Sequence, residues 1–205
     1  MRLDEAFQKL NIIQDFIPAG NSNRPGRRLR PSHITIHNTD NTGRGADAAA
    51  HAKYVKGADA RKRKVSWHFT VDDKAIFQSL PTGEIGWHAG RGNSKSIGIE
   101  ICMHAGMSEA KAYERAALLT AVLASQHGIS VRNGIVQHND WTGKNCPRVL
   151  RAKRNGWSTF LARVRALHGG LSSVPAATIK VAINTERDCC EISARKKKKA
   201  KARAA

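Results

Sequence analysis

Two short stretches most constrain what this chain can fold into, because each alternates isoleucine with residues that do not share an apolar face. In HITIHN, residues 33–38, Ile34 and Ile36 fall on one side of an extended backbone and Thr35 and His37 on the other. In SIGIEIC, residues 96–102, Ile97, Ile99 and Ile101 point one way while Gly98, Glu100 and Cys102 point the other. VSWHFTV (65–71) reads as a further strand, joined through Asp72, Asp73 and Lys74 to AIFQSL (75–80) as a hairpin. GIVQ (134–137) looks like the end of another. Between them lie helical patterns. SEAKAYERAALLTAVLASQHG (108–128) has Ser108 as its N-cap and Gly128 as its stop. ADAAAHAKYV (46–55) and GWSTFLARVRALHG (156–169) are shorter helices. Strands alternating with helices predict an α/β fold, a mixed central β-sheet flanked by helices.

Residues 1–30 read as an N-terminal helix followed by a Gly/Asn/Pro/Arg loop, 31–170 as one domain, and 171–205 as a linker and basic tail. A chain of 205 residues suits one well-packed domain with something left over. No stretch approaches the roughly 20 apolar residues of a membrane-spanning helix. The N-terminus is broken by Asp4, Glu5, Gln8 and Lys9 and lacks the apolar core of a signal peptide, so synthesis in the cytoplasm is expected. Four cysteines, two of them adjacent, suit a reduced compartment better than a disulfide framework. Net charge is +19, of which the tail from Leu171 onward carries +6. Such a chain favours polyanions, whether nucleic acid, anionic lipid or acidic wall polymers, and charge alone does not choose among them.

Three residues are candidates for a metal site. His37 ends a strand on its polar face, His138 follows another strand, and Cys146 lies in the loop beyond it. Two imidazoles and a thiolate with a fourth position open to water make an ordinary catalytic zinc set. A histidine at a strand end is by itself more often a surface or hydrogen-bonded residue, so the case rests on several features occurring together.

Those features resemble a family. ITIHNT, SWHFTVDD, GWHAG, SIGIEIC and QHNDWTGKNCP occur in the order and approximate spacing of the zinc-dependent N-acetylmuramoyl-L-alanine amidases, which include phage endolysins and the peptidoglycan recognition proteins. The resemblance covers about residues 30 to 165. It implies Zn2+ held by His37, His138 and Cys146, Glu100 as general base and Lys144 beside the developing oxyanion. Amide hydrolysis needs those roles: an activated water, a polarised carbonyl and a proton for the leaving amine. One departure stands out. Where many members have tyrosine in the block around SWHF, this chain has Trp67, which has no phenolic proton to give.

Trp67 and His88 are expected at the substrate cleft, with Trp87 and Trp141 as groove aromatics or core residues. His68 is expected as a packed, hydrogen-bonded residue, Cys102 as a small buried one. His33, His51, His104, His127 and His168 have no companion residues and are read as structural or surface. The function implied is a wall-lysing amidase with peptidoglycan or muropeptide as its partner, acting at the bacterial wall after release. A muropeptide-binding module without catalysis and a cytosolic muropeptide-recycling amidase are the alternatives. The tail would bind anionic wall polymers or lipopolysaccharide. Specific nucleic-acid binding is not expected, since no helix-turn-helix or RNA-binding aromatic motif accompanies the charge.

Overall fold

The computed structural model of the chain describes residues 1–172. The tail readings from residue 173 onward, with Cys189 and Cys190, lie outside the described residues. In chain order the elements are α1 (Leu3–Leu10), β1 (Ile12–Gln14), β2 (His33–Asn38), α2 (Ala48–Lys56), α3 (Ala58–Arg63), β3 (Phe69–Val71) and β4 (Ile76–Gln78). A 3-10 turn (Gly90–Gly92) leads to β5 (Ser96–Ile101), α4 (Glu109–His127), β6 (Ile135–Gln137), α5 (His138–Thr142), α6 (Arg148–Ala152) and α7 (Gly156–Gly169).

The strands form one sheet in the order β1-β4-β3-β5-β2-β6. β3 and β4 make the expected antiparallel hairpin, while β3, β5, β2 and β6 run parallel to one another. The sheet is therefore mixed, as the alternating pattern implies. Its isoleucine face (Ile34, Ile36, Ile97, Ile99 and Ile101) is fully buried in one core with Leu119, Val122 and Leu123 of α4 and Val164 of α7. Alanines 112, 116, 117, 121 and 124 keep the buried side of α4 thin. The opposite face carries Thr35, His37, Gly98 and Glu100, and chemistry is confined to that side.

Three local expectations need correction. Residues 1–30 hold more than a helix and a loop: β1 pairs with β4 at the sheet edge, and Leu3, Phe7, Leu10 and Leu29 belong to the main core. VSWHFTV forms a strand only at Phe69–Val71. Ahead of it, Ser66 turns to bind the next loop, donating its N–H to Trp87 O and accepting the Trp87 N–H on its hydroxyl. Ser108 holds the N-cap position of α4 without a side-chain cap; its own N–H goes to Asp73. Gly128 ends α4 in a left-handed conformation (φ 63°), donating its N–H to Ala124 O.

Candidate metal centre and cleft

The centre follows from strand register. β2 lies between β5 and β6, and the register pairs His37 with Glu100 and Ile36 with Gln137. His37 and Glu100 thus sit side by side on one face, and the residue after Gln137, His138, begins α5 beside them. All three come from the carboxyl ends of adjacent parallel strands, where open α/β sheets bind ligands.

The loop after α5 folds back and places Cys146 Sγ 3.7 Å from His37 Nδ1, and Glu100 Oε1 lies 3.8 Å from the same nitrogen. Asn139 helps close the loop, its side chain donating to Lys144 O and its N–H to Cys146 O. One donor atom each from His37, His138 and Cys146 falls within 4.8 Å of the others; among the described residues this is the one such group that could hold a metal ion. His138 Nδ1 and Glu100 Oε2 are both buried without a hydrogen-bond partner. Two orphaned polar atoms on residues lining one cleft cost stability unless something binds them.

Burial sets the electrostatics. It pushes the Glu100 carboxyl up to about 8, against the pull of the Lys144 ammonium. It also raises the Cys146 thiol to about 12, with the Glu100 charge adding to the effect. It lowers His37 well below the ordinary imidazole value, the neighbouring His88, His138 and Lys144 adding to that shift. His138 is lowered by burial and then by Lys144. Both imidazoles are therefore neutral, the form that binds metals.

A cleft of about 560 Å³ opens onto this centre, lined among others by Trp67, Trp87, His88, Glu100 and Lys144. Trp67 stacks on Tyr54 (ring centroids 6.3 Å apart) and donates its indole N–H to Thr70 Oγ1 at 2.7 Å. Its polar atom is thus committed inside the protein, and it offers the cleft an apolar surface. Trp141 does not line this cleft: its indole packs on Gly92, where a Cβ would come within 2.7 Å, and donates its N–H to Thr35 Oγ1. His68 is the buried, hydrogen-bonded residue expected, accepting from Gly98 N–H and donating to Glu84 O.

His51, Tyr54 and Arg63 line the cleft and were missed, His51 having been read as structural or surface. His51 donates Nδ1–H to Asp47 O. The spacing of His51 and Tyr54, three apart on α2, was the signal that could have found them.

A family model described as N-acetylmuramoyl-L-alanine amidase matches residues 27–149, more than half of the chain. N-acetylmuramoyl-L-alanine amidase XlyA of Bacillus subtilis (strain 168) is 52% identical over 159 residues, covering 76% of this chain and 51% of that protein. N-acetylmuramoyl-L-alanine amidase CwlH of the same organism is 48% identical over 157 residues, covering 74% of this chain and 60% of its own length. The chain thus spans little more than half of these curated relatives. Among solved structures, the catalytic domain of XlyA superposes with a TM-score of 0.70 at 51% identity, covering 75% of this chain and 99% of that one. No described helix is long and apolar enough to cross a membrane.

Proposed function

The chain belongs to the N-acetylmuramoyl-L-alanine amidase family, and from that premise we propose that it hydrolyses the amide between N-acetylmuramic acid and L-alanine in peptidoglycan, using zinc held by His37, His138 and Cys146. The observation that carries this reading is the convergence of those three donor atoms beside a buried carboxyl and an ammonium at the floor of one cleft. The donor set fits the ion. Two neutral imidazoles and a sulfur suit a borderline-soft cation, and the orphaned Nδ1 of His138 gains the partner it otherwise lacks. A bound cation also supplies what the buried thiol needs to become a thiolate. Zinc in that place would contribute Lewis acidity toward the scissile carbonyl and the attacking water.

The remaining work falls to the protein's own groups. Glu100 faces His37 across two paired strands and has one oxygen free, so it can take the proton of the attacking water and return it to the leaving amine. A carboxyl held near neutral pH by burial is suited to both halves of that transfer. Lys144, on the cleft wall, places positive charge where the carbonyl oxygen becomes negative. Trp67, Trp87 and Tyr54 give the cleft aromatic faces against which sugar or peptide can pack.

In this reading the protein acts at the bacterial wall as an endolysin, and the basic tail holds it on anionic wall polymers or lipopolysaccharide. The test is amine and muropeptide release from purified walls, followed by mass spectrometry of the products. Loss of cleavage in His37→Ala and Cys146→Ala supports the reading; wild-type lysis in both, or binding without any cleavage by the unsubstituted chain, overturns it. Removing residues 191–205 should weaken lysis of whole cells while sparing soluble muropeptide, and equal loss in both assays would refute the tail's part.

A further inference from the structure

His88 does something that the assignment of ligands, base and oxyanion partner does not cover. Its ring lies against Gly98 of β5, where an added Cβ would come within 2.7 Å of Nδ1. Its loop is pinned by Asn93, whose Oδ1 accepts the N–H of His88 at 2.9 Å and of Ala89 at 2.7 Å. The ring is therefore located from behind and from its own backbone, and both its nitrogens have partners inside the protein.

Those partners fix where the protons are. His88 Nε2 lies 3.2 Å from Ser96 O. A carbonyl oxygen only accepts, so Nε2 carries the hydrogen. A neutral imidazole has a single N–H, which leaves Nδ1 of His88 as an acceptor. Nδ1 is 3.0 Å from His37 Nε2, so His37 must donate from Nε2. The lone pair of His37 is then on Nδ1, the atom facing Cys146 Sγ at 3.7 Å.

We infer that Ser96 O, His88 and His37 form a proton-ordered chain that holds His37 in the one tautomer able to give Nδ1 to a metal, with His88 as a positioning residue. An imidazole left alone samples both tautomers, and the other one would point a hydrogen into the centre. Outer partners of this kind are worth 10- to 100-fold in metal affinity. The inference rests on the metal-centre reading proposed above, and it also explains why both nitrogens of a cleft-lining histidine are turned into the protein.

The experiment uses the full chain and two measurements. Long-range nitrogen–proton NMR on the metal-free, unsubstituted protein should show His37 with Nε2 protonated and Nδ1 bare. Zinc affinity, read by competition with a chelating indicator, should fall about 10- to 100-fold in His88→Leu and recover most of that loss in His88→Asn. The asparagine carbonyl oxygen reaches the place of Nδ1 and accepts again, whereas leucine fills the space without accepting. An Nδ1–H tautomer at His37, wild-type affinity in His88→Leu, or equal loss in both variants overturns the inference while leaving the metal centre standing. Failure of the unsubstituted chain to take up zinc overturns the metal centre and this inference with it. The nitrogen shifts need no substitution, so a variant that does not fold leaves the test decided.

Discussion

Replacing Gly98 by alanine tests the packing behind the candidate metal centre directly. Gly98 lies within β5 and is not among the glycines with a positive φ, so alanine meets no backbone strain there. The obstacle is His88: the new Cβ would lie 2.7 Å from its Nδ1, 2.8 Å from Cγ and 2.9 Å from Cε1. Ordinary carbon contacts begin near 3.5 Å, so the ring must retreat by roughly 0.6 Å or more. A shift of that size is enough to take the 3.2 Å bond to Ser96 O out of hydrogen-bond range. Overpacking a fixed side chain costs about 1–3 kcal/mol, and for a domain of this size each kcal/mol lowers Tm by roughly 2–4 °C. Gly169 is the control. A Cβ there meets nothing within 4 Å, and alanine late in α7 should leave stability unchanged or raise it by up to about 1 kcal/mol. Urea denaturation of both variants, with zinc affinity measured alongside, separates the two sites. A Gly98→Ala chain as stable as the parent, with unchanged zinc affinity, would refute the reasoning, because His88 would then be free to move.

Three further outcomes follow from the same geometry. Glu100→Gln should keep zinc but lose about 10²- to 10⁴-fold in cleavage rate; parental turnover would remove the carboxyl from the reaction. Chelation of the metal should abolish cleavage and lower Tm, with zinc restoring both, and a melting curve indifferent to chelator would argue against a centre built into the fold. Burial lowers His68 to about 4, so the folded chain resists its protonation while the unfolded chain accepts it at about 6.5. Its contribution costs nothing above pH 6.5 and removes about 3 kcal/mol of stability as pH falls from 6.5 through 4. An NMR titration of the His68 ring with a midpoint near 6.5 would contradict this.

Much of the framework was legible locally. Period-two isoleucines marked β2 and β5, helical periodicity ending at Gly128 marked α4, and a hairpin was readable at residues 72–74 because each of these patterns records burial by near neighbours. The donors of the centre were legible as residue types in motifs. The cleft wall was less so. His51 and Tyr54 enter it because α2 packs beside the hairpin, and Trp141 stays outside its lining, with its indole packed on Gly92. β1 was missed for a related reason: three residues at a sheet edge carry too short a pattern, and β4 supplies the pairing.

The sequence by itself determined which faces are apolar, where the long helix ends, and that imidazole, thiol, carboxyl and ammonium are available in a fixed order. Only the tertiary structure decided that residues far apart in the chain become neighbours. Parallel strands are joined by long crossovers, so no local pattern states that β2 lies between β5 and β6, or that His37 is in register with Glu100. The same holds for the glycines. Gly98 and Gly169 look alike in the chain, yet one backs onto an imidazole ring and the other onto open space. What a residue faces across the sheet is a long-range property, and it is what turns a polar strand end into a candidate metal ligand.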